Sequence, residues 1–143
     1  MATKRQRLPV TALSRDHGFT ALDDYDTRTY ILPHLVDPES RARIIAEHRK
    51  HPRGAASQPG EKPPLHSEAL KRLIDKLRMV PQAGKHTIVE VVPWREYAIG
   101  ILPGQRGGVV KITRDRYATR EDAEHAIFLK RLKALLAQYA IKP

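Results

Sequence analysis

The stretch KHTIVEVVPWREYAIGI, residues 85–101, decides the fold class of this chain. β-branched residues occupy four of the five positions over 88–92. Apolar residues alternate over 97–101, as in strands whose successive side chains point to opposite faces. Residues 93–96, Pro-Trp-Arg-Glu, separate the two runs and predict a tight turn. The stretch therefore predicts two antiparallel strands joined in a hairpin.

A third strand and a long helix are expected after this hairpin. The β-branched run at 109–112 follows a glycine-rich turn at 103–108 and predicts a third antiparallel strand. Thr119 and the acidic Asp122 form a variant of the capping box, so a helix should begin there. Its apolar stripe consists of Phe128, Leu132, Leu135, Leu136 and Tyr139. We therefore expect a three-stranded antiparallel meander packed on a long C-terminal helix.

A helix is also predicted where the acidic Asp37 is followed by Pro38. Asp can accept hydrogen bonds from the free amides of a first helical turn, and Pro suits the first helical position. The helix should end near Lys50, because a Pro-rich loop near 51–65 follows it. Loops of that length in small domains are often contact surfaces or disordered.

A second helix is predicted over 66–79, with Ser67 as its N-cap. Its narrow apolar stripe consists of Leu70, Leu73, Ile74 and Leu77. Two helices before an antiparallel sheet, and one long helix after it, predict an α+β fold with a single domain over 37–143.

Residues 1–36 are predicted to form an extended N-terminal arm, because they show no sustained apolar period. Tyr25 and Tyr30 lie in this arm within an acidic stretch. An arm of this kind can gain order when it wraps a partner protein. The two tyrosines are therefore candidate contacts with another protein.

Composition excludes several classes of site. The chain has 143 residues, 26 Lys and Arg against 16 Asp and Glu, a formal charge of +10, and no cysteine. Without cysteine there are no disulfides, thiolate metal sites or cysteine nucleophiles, which fits a bacterial cytoplasm. No apolar run approaches the roughly 20 residues of a membrane span. The positive charge attracts any anion, whether nucleic acid or an acidic protein, and does not choose between them.

The histidines and glycines of the sequence do not form a spacing pattern that is typical of a catalytic or metal site. His48 and His51 are spaced for one helical face, but Pro52 interrupts the helix and no third ligand is spaced to join them. Ser67 is better placed to cap a helix than to act as a nucleophile. His125 is expected to be a boundary or interface residue. We therefore predict no catalytic residue, metal ligand or cofactor site in this chain.

The tetrapeptide Trp94-Arg95-Glu96-Tyr97 stands out at the predicted turn. Trp, Tyr and Arg are the residue types that dominate binding hot spots in protein interfaces. The alternative is that Trp94 covers the end of the hydrophobic core. The sequence leaves both interpretations open.

The run from His48 to the last helix resembles the small (alpha, or light) subunit of N,N-dimethylformamidase. Near its start the resemblance is carried by His51-Pro52-Arg53-Gly54, His66-Ser67, Leu70, Arg72 and Leu77-Arg78. Further along it is carried by Pro81, Gly84-Lys85, Trp94-Arg95-Glu96-Tyr97-Ala98-Ile99 and the run from Thr119 to Arg131. The ordered succession of these pieces is more specific than any one of them.

The resemblance implies a hetero-oligomeric amide hydrolase that splits dimethylformamide into dimethylamine and formate. In that family a much larger subunit holds the active site and a mononuclear iron ligated by tyrosine and carboxylates, and the small chain is accessory. The iron would therefore belong to the partner, and no ligand or catalytic residue carries over to this chain. Candidate partner-binding residues are Trp94, Arg95, Tyr97, Tyr25, Tyr30, His51, Arg53, His66 and His125.

A small basic nucleic-acid-binding protein is the alternative function. A meander packed on a helix can lie in a groove while basic side chains contact phosphates. The basic residues on or near the predicted strands are Arg95, Arg106, Lys111, Arg114 and Arg116. Phosphate binding should weaken steeply with salt, whereas a partly apolar subunit interface should persist.

Overall fold

The computed structural model of this chain describes residues 17–52, 60 and 65–143, with side chains from residue 20 onward. In chain order the elements are α1 (His17–Asp26), a π-helical turn (Thr27–Ile31), α2 (Leu32–Val36), α3 (Pro38–Lys50), α4 (Glu68–Arg78), β1 (His86–Val92), β2 (Glu96–Ile101), β3 (Lys111–Tyr117) and α5 (Arg120–Gln138). No helix in these described ranges is long and apolar enough to cross a bilayer.

The three strands form an antiparallel sheet in the order β1-β2-β3. Ile88 pairs with Ile99 across β1 and β2, and Gly100 pairs with Ile112 across β2 and β3. The third strand begins at Lys111, later than the apolar run predicted, because the pairing starts opposite Ile101, where β2 ends. The predicted α+β class and meander are confirmed.

The predicted helix caps are confirmed at three positions. The Asp37 carboxylate accepts a hydrogen bond from the Ser40 amide at 3.2 Å. The Ser67 hydroxyl accepts from the Leu70 amide at 3.3 Å. At the start of α5 the Thr119 hydroxyl accepts from the amide of Asp122 at 3.2 Å. Each cap satisfies a backbone donor that the first helical turn leaves unpaired.

The prediction of an extended arm over 1–36 is wrong for its second half, because residues 17–36 are helical throughout. Thr27, Ile31 and Leu35 are buried at intervals of four residues, a spacing that drifts round a regular α-helix. The wider π-helical turn keeps them facing the core. The Thr27 hydroxyl donates to the carbonyl of Asp23 at 2.7 Å. Residues 1–16 lie outside the described part of the chain.

The hydrophobic core lies mainly between the helices. It consists of Ile31, Leu32, Leu35, Ile44, Leu70, Leu73, Leu77, Phe128, Leu132, Leu135 and Leu136. The α5 stripe residues Phe128, Leu132, Leu135 and Leu136 are part of this core. α5 also contacts all three strands, and Ile99 at the centre of the sheet is fully buried. The long helix therefore lies between the helices and the sheet.

Candidate protein-protein interface

Trp94 occupies the turn between β1 and β2 in a conformation that is unusual for a large residue. Its side chain is 88% exposed, and its φ of 65° lies in the left-handed region. Its amide donates to the Glu90 carboxylate at 2.9 Å, which holds the turn. The left-handed region costs a non-glycine residue roughly 1–2 kcal/mol. Trp94 does not cover the end of the core, so one of the two interpretations left open by the sequence is excluded.

The outer face of the sheet, opposite α5, is apolar and partly exposed. We define this outer face by Thr87, Val89, Val110 and Ile112. A Cβ built on Gly100 would lie 2.6 Å from a Val110 methyl carbon and 2.8 Å from one of Val89, so these side chains close over the glycine. Ile112, which pairs with Gly100, is 49% exposed. No described helix covers this face with a comparable apolar stripe.

Two of the predicted docking residues flank Trp94 but differ in exposure. Arg95 is exposed in the turn, where its amide donates to the Val92 carbonyl at 3.0 Å. Tyr97 is buried in β2 opposite Tyr117. Arg95 is therefore accessible to a partner beside Trp94, whereas Tyr97 is not.

Tyr25 and Tyr30 lie on the helical side of the molecule. Tyr25 is exposed, and the Arg72 guanidinium lies over the Tyr30 ring at 4.7 Å from its centroid. The neighbouring Asp23 carboxylate forms an ion pair with Lys76 at 2.5 Å. The acidic stretch thus attaches the first helices to α4. Tyr25 remains exposed for contact, while Tyr30 already has an intramolecular partner.

His51 and His66 meet where α3 ends and α4 begins. Nε2 of His66 donates to the His51 carbonyl at 2.5 Å. The Ser67 amide and hydroxyl donate to the Glu47 carboxylate at 2.7 and 2.6 Å. We call these contacts the α3–α4 tie. The Ser67 hydroxyl is bound to a carboxylate and caps α4, so the sequence-based preference for a capping role agrees with this geometry. Arg53 lies outside the described residues.

His125 is a core residue, and the structure places it against His48. Their Nδ1 atoms are 2.8 Å apart, so one ring donates this hydrogen bond and the other accepts it. The His48 ring stacks on Phe128, with centroids 3.8 Å apart and planes within 9°. We call these three residues the histidine stack. His48 and His125 are separated by 77 residues, so no local pattern could have paired them.

Burial keeps the histidine stack neutral. Burial first, and then the nearby His125 and His66, lower the pKa of His48 to about 3. Burial also lowers the pKa of His125, Arg49 lowers it further, and Asp122 opposes that shift. The shared hydrogen bond needs one Nδ1 without a proton as its acceptor, so it is lost when both rings are protonated.

The described residues contain no ligand set for a metal ion. No three His, Asp or Glu side chains there are grouped so that they could hold an ion. The iron that the resemblance implies therefore has no ligand set among the described residues of this chain.

A family model for the N,N-dimethylformamidase alpha subunit matches residues 21–142. This chain belongs to the N,N-dimethylformamidase alpha subunit family. The match includes the last part of α1, the π-helical turn and α2, which the residues used for the resemblance did not reach. The family match therefore includes most of the helical segment 17–36 that sequence analysis had treated as an arm.

Two curated relatives carry the same name. The chain is 35% identical over 95 residues to the N,N-dimethylformamidase alpha subunit of Paracoccus aminophilus, covering 66% of this chain and 62% of that protein. It is 29% identical over 134 residues to the N,N-dimethylformamidase alpha subunit of an Alcaligenes species, covering 94% of this chain and 93% of that protein. Both relatives are thus named as one subunit of an enzyme that has others.

Proposed function

We propose that this chain is the accessory subunit of a dimethylformamidase-like amide hydrolase. It docks on a larger catalytic subunit through Trp94, Arg95 and the adjoining apolar surface of the sheet. The observation that carries the proposal is Trp94, a large apolar residue that is 88% exposed at a left-handed turn position. Strained residues on exposed turns concentrate at functional sites.

The free energy of an isolated chain would favour another residue at this turn. Glycine would adopt the same φ without strain, and a polar side chain would be better hydrated. Tryptophan buries roughly 150–250 Å² when it is covered, and apolar burial contributes roughly 25 cal/mol per Å². Burial of Trp94 on docking would therefore contribute several times the free energy that the strained turn costs.

The family and the site geometry support a non-catalytic role. Both curated relatives are named as alpha subunits of dimethylformamidase. The adjacent His66 and Ser67 are used to join α3 to α4. We assign the active site and its iron to the large subunit for these reasons.

The proposal is tested by mixing this chain, purified at full length, with the large subunit of the same host at about 150 mM and about 500 mM salt. Size-exclusion chromatography with light scattering measures whether a complex of fixed ratio forms. We expect the complex at both salt concentrations, because an interface with an apolar centre depends weakly on salt. No complex at either concentration would overturn the proposal, as would tighter binding to duplex DNA that is lost at the higher salt.

A further inference from the structure

A cavity of about 660 Å³ lies beside the start of β1, where Ile88 and, from the outer face, Thr87 contribute to its lining. It is open to solvent on one side and is lined by the ends of α3 and α4, by the start of β1 and by α5. We call it the arginine cavity, because Arg78, Arg120 and Arg131 line it. Nothing in the docking proposal uses these residues.

The cavity has an excess of positive charge. Its three arginines face one lining carboxylate, Glu124, which lies 3.9 Å from Nε of Arg120. The two lining histidines add no charge at neutral pH, because burial lowers the pKa of His48 and of His86. The lining therefore carries a formal charge of about +2 at neutral pH.

Arg131 is the group that points to an anionic ligand. Its Nη2 donates to the His86 carbonyl at 3.1 Å, but its buried Nε has no hydrogen-bond partner among the described residues. Burial, followed by the charge of Arg78, lowers the pKa of Arg131. A guanidinium that is partly desolvated and lies beside a second one is stabilised by a carboxylate or other oxyanion.

Another part of the lining is apolar. It is formed by Ile74, Leu77, Ile88, Ile127 and Phe128. A fully hydrated ion such as inorganic phosphate would gain nothing from these side chains, whereas an organic group would bury apolar surface against them. The two parts of the lining together favour a ligand that has one anionic end and one apolar end.

We propose that the arginine cavity binds a small organic carboxylate, whose carboxylate is held by Arg131 with help from Arg78 and whose apolar body packs on Ile88, Ile127 and Phe128. This site is independent of the docking surface. It would bind in the free chain and in the complex with the large subunit.

The probe is benzoate, titrated into the ¹⁵N-labelled full-length chain at pH 7.5 and followed by NMR. We expect saturable shifts of the Arg131 Nε–H signal and of the Ile88 and Ile127 amides. Acetate should bind about tenfold more weakly, because it lacks the apolar body. Benzamide has the same shape without the charge and should cause no saturable shift.

Variants separate the site from unspecific binding. Arg131→Lys keeps the charge but removes the Nε donor, and Arg78→Gln changes an exposed residue whose loss should leave the fold intact. Each should weaken benzoate at least fivefold, while Arg114→Gln, an exposed arginine on β3, should bind it as the wild type does. The proposal is overturned if benzamide binds as tightly as benzoate, if phosphate binds more tightly, if Arg78→Gln binds benzoate like the wild type, or if the shifts lie elsewhere.

Discussion

At the scale of single residues, His48 in the histidine stack makes the stability of this chain depend on pH. In the unfolded chain a histidine takes up a proton near pH 6.5, whereas the folded His48 stays neutral until about pH 3 because its pKa is lowered by burial. Between those values the unfolded state binds more protons, so the free energy of unfolding falls as the pH falls.

We expect the free energy of unfolding to drop between pH 7.5 and pH 5 by about 2 kcal/mol through His48 alone. Urea unfolding at the two pH values measures it. His48→Gln should lose that part of the pH dependence, although it is less stable at pH 7.5. His34→Gln, which changes an exposed histidine on α2, should keep the wild-type dependence. An equal dependence in wild type and His48→Gln would contradict the account.

At the scale of elements, the α3–α4 tie joins two helices across the Pro-rich loop. Two donors of Ser67 share the Glu47 carboxylate at 2.7 and 2.6 Å, and hydrogen bonds to a charged acceptor are among the stronger ones in proteins. The tie therefore fixes where α4 begins relative to the end of α3.

We expect Glu47→Gln to lower the free energy of unfolding by about 1–2 kcal/mol, since the amide can accept only part of what the carboxylate accepts. Chemical unfolding of the full-length chain measures the change. Asp75→Asn, an exposed position on α4, is the matched control and should change stability by less than about 0.5 kcal/mol. An effect of Glu47→Gln no larger than that of the control would show that the tie does not stabilise the chain.

The elements that sequence reasoning found are those with a local signal. Side chains at Asp37, Ser67 and Thr119 cap helices through bonds three residues away, and a hairpin shows in the alternation of β1 and β2. The segment 17–36 lacked such a signal, because its buried positions follow a π-helical spacing and include a threonine. A search at intervals of four residues that counts threonine together with the apolar residues could have found this segment.

The candidate site was less predictable than the fold. The sequence singled out the Trp94 turn, but the left-handed φ and the exposure needed coordinates. His125 and Tyr97 were expected at a surface, yet both are buried by residues far away in the chain. Burial of a polar residue depends on which elements pack on it, and that contact has no local sequence pattern.

At the scale of the whole molecule, the proposed docking surface and the arginine cavity occupy different parts of the fold. The chain carries a formal charge of +10, and three of its arginines line the cavity beside α5. The exposed apolar residues of the hairpin lie at the sheet, with Trp94 at its end. A partner subunit at the sheet and a small anion in the cavity would therefore not compete.

The binding of the large subunit to wild-type chain and to Trp94→Gly, measured by isothermal titration calorimetry beside the melting temperature of each free chain, tests the central claim most directly. Glycine removes the side chain and the strained φ together, so we predict at least tenfold weaker binding with an equal or higher melting temperature. Met79→Ala, which removes another exposed apolar side chain, should bind as the wild type does. Unchanged affinity of Trp94→Gly would contradict the claim that Trp94 is the docking residue.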